Sequence, residues 1–161
     1  MVKKFLKKLK WVVLALTVLS VGLLVYGLSL VRYAEEEVLS LSNYEQAIAG
    51  MSEVVAVNHI HRFNGRQSYI VANVTHESGQ LLYFFVHDGQ VVHYELAEVL
   101  KDVDAATTIA TELVGADDVL VARLGLLDGV AIFEIQINAE NEVHYVILDA
   151  KTFEVLLNFT T

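Results

Sequence analysis

An uncharged, strongly apolar segment near the N-terminus constrains this chain more than any other feature. No residue from Val12 to Val31 is charged, and thirteen of these positions are Leu or Val. An α-helix rises about 1.5 Å per residue, so this segment would span roughly 30 Å, the thickness of the hydrocarbon core of a bilayer. The sequence therefore predicts a basic segment at 1–11, followed by a transmembrane helix at 12–32.

The charges on either side of this segment predict its orientation. Five lysines precede it, whereas Arg32 and then three glutamates follow it (Lys3, Lys4, Lys7, Lys8, Lys10; Glu35, Glu36, Glu37). The positive-inside rule places the lysine-rich end in the cytoplasm and the rest of the chain outside. We therefore expect a single-pass protein of the cell membrane, in contact with lipid through this helix and with an extracellular C-terminal domain.

A cleaved signal peptide is the main alternative for the same segment. The apolar core of a signal peptide usually has about 7–15 residues, fewer than the run found here. Leu28-Ser29-Leu30 is also a poor cleavage site, and a chain without cysteine cannot carry a lipoprotein anchor. The absence of disulfides fits a bacterial surface protein better than a secreted eukaryotic domain. Together these features favour a permanent anchor.

The rest of the chain is strongly acidic. After position 32 there are five Lys and Arg residues and 20 Asp and Glu residues, a formal charge of 5 − 20 = −15 with histidine neutral. Such a domain should repel phosphate polymers. We therefore expect no nucleic-acid partner, and no anionic wall polymer as a ligand.

Two segments with helical spacing divide the acidic region into similar halves. Apolar residues recur at steps of three and four before Gly50, and again before Gly115 (Ala34, Val38, Leu41, Tyr44, Ile48; Val99, Val103, Ala106, Ala110, Leu113). This spacing predicts amphipathic helices that end near each glycine. Asp102 or Asp104 is the candidate N-cap of the second helix. The two glycines are 65 positions apart, which indicates an internal duplication.

Strand-like runs follow each predicted helix. In the first half they cover about Val54–Phe63, Gln67–Thr75, Leu81–His87 and Gln90–Leu96. In the second half they cover about Val119–Leu126, Val130–Asn138, Val143–Asp149 and Phe153–Phe159. The separators in the first half are dipeptides typical of tight hairpin turns, Asn64-Gly65, Ser78-Gly79 and Asp88-Gly89. The separators in the second half are Asp128-Gly129, Glu140-Asn141 and Lys151-Thr152. The runs therefore predict antiparallel sheets.

Alternation within the strands predicts which faces are buried. Three apolar residues of the sixth run share one face, and three polar residues share the other (Phe133, Ile135, Ile137; Glu134, Gln136, Asn138). A sheet with one apolar and one solvated face needs a helix to cover it. We therefore predict an α+β fold with two units, 33–96 and 97–161, each a helix packed on an antiparallel sheet. Units of about 65 residues are small for independent cores, so we expect the two to pack together.

Residues in the second unit also carry a family resemblance. The run from Ala122 to Gly129 contains Arg123-Leu124-Gly125, and Phe133-Glu134, His144–Asp149 and the Lys151-Thr152 turn follow. A membrane anchor followed by two helix-and-sheet units of this size resembles tandem PepSY-like (cystatin-like) domains. The residue pattern resembles, more specifically, the second domain of the TseB/YpmB-like family of Gram-positive cell wall elongation regulators. One departure is Phe153, because the family often has glycine after the Lys-Thr turn.

The resemblance implies a function that is not enzymatic. It implies a membrane-anchored, extracytoplasmic regulatory protein that modulates cell wall elongation through a penicillin-binding protein or another elongation protein. An inhibitor or chaperone of a secreted or surface peptidase is the alternative that the fold implies. A small-ligand sensor or an unrecognised hydrolase is a third hypothesis.

The residues themselves offer little catalytic chemistry. His59 and His61 are two apart on a predicted strand and so share one face, but a zinc site needs three or four ligands. His76-Glu77-Ser78-Gly79-Gln80 begins like a zinc-protease motif, with Gln80 where the second histidine must stand. We therefore predict no catalytic, cofactor-binding or metal-binding residues.

An aromatic run in the third strand is the remaining surface candidate. Alternation places Tyr83 and Phe85 on the face opposite Phe84. One of these sets should fill the core of the first unit. The other set either packs the two units together, which we expect, or forms a patch for a partner protein.

Overall fold

A computed structural model describes residues 19–20, 22–29 and 40–161. Its contacts divide the chain into two units, 1–40 and 41–161. In the unit 1–40, residues 19–20 and 22–29 are helical, and their large apolar side chains are exposed. Among the described residues, no helix combines the length and the apolar character needed to cross a membrane. Most of the predicted 12–32 span lies outside the described residues, so the transmembrane helix stays a prediction.

The unit 41–161 contains two four-stranded antiparallel sheets, which confirms the predicted α+β class. The first sheet has the order β1-β2-β3-β4, with strands Val54–Asn64, Ser68–His76, Leu81–His87 and Gln90–Leu96. The second has the order β5-β6-β7-β8, with strands Asp118–Leu127, Val130–Ala139, Glu142–Asp149 and Val155–Thr160. A helix described over residues 40–49, α1, precedes the first sheet, and α2 (Val103–Val114) precedes the second.

Tight turns connect the strands where the dipeptides predicted them. Asp88-Gly89, Asp128-Gly129 and Glu140-Asn141 each place both residues at positive φ, the signature of a type I′ turn. The twist of this turn matches that of the flanking strands, so the hairpins close without extra residues. Asn64-Gly65 instead begins a longer loop, in which the Gly65 N–H donates to the Gln67 carbonyl at 3.2 Å.

Each helix covers one face of its own sheet. In the first half, Ile48 of α1 is buried against a layer from β2 and β3 (Ile70, Ala72, Val74, Leu82, Phe84, Val86). In the second half, Ala106 and Ala110 of α2 are completely buried. Gly115 ends α2 at φ 76°, and its N–H donates to the Thr111 carbonyl at 2.8 Å. The predicted ends at Gly50 and Gly115 are therefore confirmed, whereas Val99 lies in a separate 3-10 turn, Ala97–Val99.

The second face of the first sheet packs against the second half of the chain. Phe63, Val71 and Phe85 belong to the same buried core as Leu124 and Phe133. Tyr83 packs at the edge of this core, whereas Phe84 faces α1. The expectation that one of the two aromatic sets packs the halves together is therefore confirmed, and that set is Tyr83 and Phe85.

The predicted solvated face of β6 is wrong at its centre. Glu134 was assigned to that face, yet only 6% of it is exposed. The cause is tertiary: Arg123 and the ring of Phe63, which belongs to the other sheet, cover the face at this point. At β8, the outer strand of the second sheet, apolar side chains are instead exposed: Val155, Leu157 and Phe159. The last strand also begins at Val155 rather than Phe153.

Candidate functional site

Phe63 forms the central contact between the two sheets. Its ring lies against two glycines, Gly65 on its own hairpin loop and Gly125 on β5. A Cβ on Gly125 would overlap the ring, and a Cβ on Gly65 would approach Phe63 Cε1 to 2.7 Å. Because real Cβ atoms do not approach so closely, both positions need the space that glycine leaves. Gly125, the glycine of the Arg-Leu-Gly motif, thus allows the sheets to meet.

The other two residues of that motif also contact the first sheet. His61 Nε2 lies 2.8 Å from the carbonyl oxygen of Leu124, so the neutral ring carries its hydrogen on Nε2 and donates it there. The guanidinium of Arg123 lies over the Phe63 ring at 5.4 Å. Burial lowers the pKa of His61; the Leu124 carbonyl opposes this effect, while nearby His59 and Arg123 add to it. His61 therefore stays neutral to lower pH than a free histidine.

Arg123 is held by a buried carboxylate. Its Nη2 donates to Glu134 Oε1 at 2.7 Å, and Gln136 Nε2 donates to the same oxygen at 2.6 Å. The Glu134 side chain is 8% exposed and that of Arg123 26%. The Arg123 Nη1 also reaches the Arg62 carbonyl of β1 at 3.5 Å. This chain of contacts fixes the edge of one sheet against the edge of the other.

A second ion pair joins the halves at β4. Glu95 accepts from Lys151 Nζ at 2.7 Å and lies 2.9 Å from His93 Nε2. Burial would raise the pKa of Glu95, but the bonds from Lys151 and His93 outweigh that effect and hold it below its usual value. The Lys101 N–H also donates to the Ala150 carbonyl at 2.8 Å, so the segment between the sheets is tied to the β7–β8 turn.

The β7–β8 turn that supplies Lys151 is built around Asp149. The Oδ1 atom of Asp149 accepts the backbone N–H groups of Lys151 and Thr152, each at 2.8 Å. Phe153 follows at φ 66°, a conformation that favours glycine, and its ring lies 6.5 Å from that of Phe133. Phe153 therefore combines a backbone conformation that suits glycine with a ring that packs against the shared core.

A cleft of about 480 Å³ opens beside this joint. Its wall combines residues of β1 and β3 in the first sheet, β5 and β6 in the second, and the segment from Ala97 to Val103 that leads into α2. The apolar part of the wall includes Leu100, Val103, Leu124 and Phe133. This volume lies within the range of about 300–1,000 Å³ that is usual for ligand-binding pockets.

The cleft concentrates the few positive charges of the domain. Residues 40–161 contain five Lys and Arg and 17 Asp and Glu. Three of the five line this cleft: Arg62, Lys101 and Arg123. The other two are engaged elsewhere, Arg66 with Asp128 at 3.0 Å and Lys151 with Glu95. Asp102 is the one carboxylate in the cleft wall. The surroundings of the cleft thus differ in charge from the rest of the domain.

The predicted pair of histidines is part of this cleft. His59 and His61 share one face of β1, with ring centroids 5.5 Å apart, as their spacing predicted. In the described ranges, no three His, Cys, Asp or Glu side chains are grouped closely enough to hold a metal ion. His76, from the sequence that begins like a zinc-protease motif, instead bonds Ser78 within a turn.

Sequence reasoning missed the cleft itself. Lys101 lies between the 3-10 turn and α2, about 40 positions from His59, and no spacing rule connects the two. A usable signal was the scarcity of cations in an acidic domain. A second signal was the presence of Arg123 and Glu134 at opposite positions of adjacent, mostly apolar strands.

The architecture defines a class of α+β domain that contains two units, each a helix packed on an antiparallel sheet. The two units share a core, because the face of the first sheet that α1 leaves free packs against the second unit. The fold is similar to the solved structure of the YpmB protein from Bacillus subtilis, with a TM-score of 0.62. The two chains are 21% identical, and the similarity covers 73% of this chain and 96% of that one. At this identity it shows a YpmB-like fold. No protein-family model matches the chain, and no curated protein does either.

Proposed function

We propose that this chain is a membrane-anchored, extracytoplasmic interaction protein that regulates cell wall elongation by binding a wall-synthesis protein, such as a penicillin-binding protein. In this proposal it performs no chemistry of its own. The N-terminal segment at 12–32 holds it in the membrane with its N-terminus in the cytoplasm, and the unit 41–161 acts outside. Its Arg-Leu-Gly motif and its YpmB-like fold are the features that point to the elongation regulators.

The observation that carries the proposal is the position of that motif. Arg123, Leu124 and Gly125 are the residues through which β5 contacts β1, so the motif serves the joint between the sheets. A motif used in this way fixes the relative position of two sheets and of the cleft beside them. Distinctive residues that set the position of a surface support a role in binding a partner.

Crosslinking in the native membrane tests the proposal. A photo-crosslinking amino acid at position 101 would lie in the cleft wall, and the same amino acid at position 112 would lie on the exposed side of α2. The full-length chain carrying either probe is irradiated in Gram-positive cells, and captured proteins are identified by mass spectrometry. We expect position 101 to capture a penicillin-binding or other elongation protein more strongly than position 112 does.

Other captures would redirect the interpretation. Capture of a secreted or surface peptidase at position 101 favours the inhibitor or chaperone hypothesis. Capture of no elongation protein at either position, from cells in which the chain is present at its natural level, contradicts the proposed function.

A further inference from the structure

The cleft between the sheets contains hydrogen-bond donors that the described protein does not use. Within residues 40–161, the side chains of His59, Tyr83 and Lys101 donate to no other protein atom, although all three line the cleft. Arg123, by contrast, is engaged with Glu134. The Lys101 backbone N–H donates to the Ala150 carbonyl, which fixes the backbone from which the ammonium extends.

His61 adds a complementary group to the same wall. Its Nε2 hydrogen is committed to the Leu124 carbonyl, so in the neutral ring Nδ1 is an acceptor. The wall therefore offers the ammonium of Lys101, a hydroxyl, an imidazole and an acceptor nitrogen, beside the apolar side chains of Leu100, Val103 and Phe133. A ligand that fits has one negative group, an N–H donor and an apolar side chain.

We propose that this cleft is a binding site for a carboxylate-bearing peptide segment, with the carboxylate at Lys101 and an apolar side chain against Leu100 and Phe133. The inference goes beyond the proposed function, because it holds whether or not the peptide belongs to a wall-synthesis protein.

The charge of the domain selects a carboxylate over a polyanion. Residues 40–161 contain 17 acidic residues, and one of them, Asp102, stands beside Lys101 in the cleft wall. A phosphate polymer would bring many charges near these carboxylates and be repelled, whereas one carboxylate needs only the cation at the cleft. A peptide also supplies the backbone N–H that His61 can accept. The volume of about 480 Å³ has room for a short segment.

Three matched probe peptides separate the possible sources of the carboxylate. Acetyl-Leu-Glu-amide carries only a side-chain carboxylate, acetyl-Leu-Gln carries only a C-terminal one, and acetyl-Leu-Gln-amide carries neither. Each is titrated into the full-length chain in detergent micelles. Binding is followed through the imidazole carbon signals of His59 and His61 by NMR. We expect saturable shifts in the millimolar range with at least one carboxylate peptide, and binding of the uncharged peptide that is about twofold to fivefold weaker.

Two variants locate the binding. Lys101→Met removes the ammonium charge of the cleft, and Arg66→Met removes the same charge from an exposed pair on the hairpin loops. We expect Lys101→Met to weaken the binding of the carboxylate peptides by about twofold to fivefold, which is the effect of one partly exposed ion pair. Binding of the uncharged peptide should not change. Arg66→Met should bind as the unsubstituted chain does. Tyr83→Phe, which keeps the ring, should weaken binding without altering the fold.

The outcomes are distinct. Preference for one carboxylate peptide identifies a chain terminus or an acidic side chain as the natural ligand, and both results support the proposal. Equal binding of all three peptides, equal losses from Lys101→Met and Arg66→Met, or no histidine shift at saturating peptide overturns it. None of these results depends on an elongation protein, so the proposed function is tested separately by the crosslinking.

Discussion

The ring of Phe63 lies directly over Gly125, in the space that a Cβ at that position would occupy. Phe63 belongs to the first sheet and Gly125 to the second, so this contact sets how closely the two sheets approach. We expect Gly125→Ala to destabilise the domain by about 1–3 kcal/mol, the usual cost of overpacking a close-packed core. Urea unfolding of the full chain in detergent measures the change.

A second substitution tests whether Phe63 is the cause. Phe63→Leu shortens the side chain that the new methyl would meet. In the double variant Phe63→Leu/Gly125→Ala, the loss should therefore be smaller than the sum of the two single losses. Strictly additive losses would mean that the Phe63–Gly125 contact does not limit the approach of the sheets.

The buried pair of Arg123 and Glu134 gives the second prediction. Arg123→Met leaves the Glu134 carboxylate buried with only Gln136 as a polar partner. Breaking a buried pair costs about 3–5 kcal/mol, and we expect a value near the lower end because Arg123 is about a quarter exposed. Arg66→Met, which breaks an exposed pair, should cost about 1 kcal/mol or less. The same unfolding experiment compares the two.

Removing the orphaned charge should reverse much of this loss. Arg123→Met/Glu134→Leu replaces both partners with apolar groups, so it should be more stable than Arg123→Met alone. If the double variant is the less stable one, Glu134 has another role in the fold.

The third prediction concerns pH and His61. Its pKa is lowered in the folded state, so the unfolded chain binds more protons and stability rises with pH. The contribution of His61 to the free energy of unfolding is complete above about pH 6.5, the ordinary pKa of histidine, and is lost as the pH falls below that value. His61→Gln keeps a donor near the Leu124 carbonyl and cannot titrate. Its unfolding free energy should fall less than that of the unsubstituted chain between about pH 7 and about pH 5.

Direct titration provides the check. The imidazole carbon signal of His61, followed by NMR in the folded chain, should move at a pH below 6.5. A midpoint at or above that value would contradict the assignment of His61 as a buried, neutral donor to Leu124.

The fourth prediction uses Phe153, which has φ 66° after the Lys151-Thr152 turn. Left-handed backbone costs a residue with a side chain about 1–2 kcal/mol relative to glycine. Phe153→Ala keeps that cost and loses the contact with Phe133, whereas Phe153→Gly loses the contact and relieves the strain. Phe153→Gly should therefore be the more stable variant by about 1 kcal/mol. The reverse order in thermal unfolding would mean that the turn does not hold this φ in solution.

Local pattern was sufficient to predict most of the elements. The strands Leu81–His87 and Gln90–Leu96 have the predicted bounds, because alternation and the Asp88-Gly89 turn both act within a few residues. Gly115 ended the second helix for the same reason. These features depend on backbone conformation near the residue itself, which the sequence encodes directly.

Features that depend on distant parts of the chain were not predictable from local pattern. Glu134 has the alternation of a solvent-facing residue, and only the arrival of Phe63 and Arg123 buries it. The cleft likewise depends on the packing of two sheets, which brings His59, Tyr83 and Lys101 into one wall. The side chains in β8 show the converse, since Leu157 has an alternating apolar pattern and is nonetheless 47% exposed.

We propose that the segment at 12–32 displays the unit 41–161 outside the membrane, and cysteine labelling is the most direct test of this topology. The chain contains no cysteine, so a single one introduced in otherwise unaltered protein gives a clean signal. Two single-cysteine variants are compared. In Glu77→Cys the cysteine is in an exposed turn of the first sheet, and in Lys4→Cys it precedes the apolar segment in the sequence. A membrane-impermeant maleimide should label Glu77→Cys on intact cells, and Lys4→Cys only after the cells are permeabilised. Labelling of Lys4→Cys on intact cells, or protection of Glu77→Cys until permeabilisation, would contradict the account.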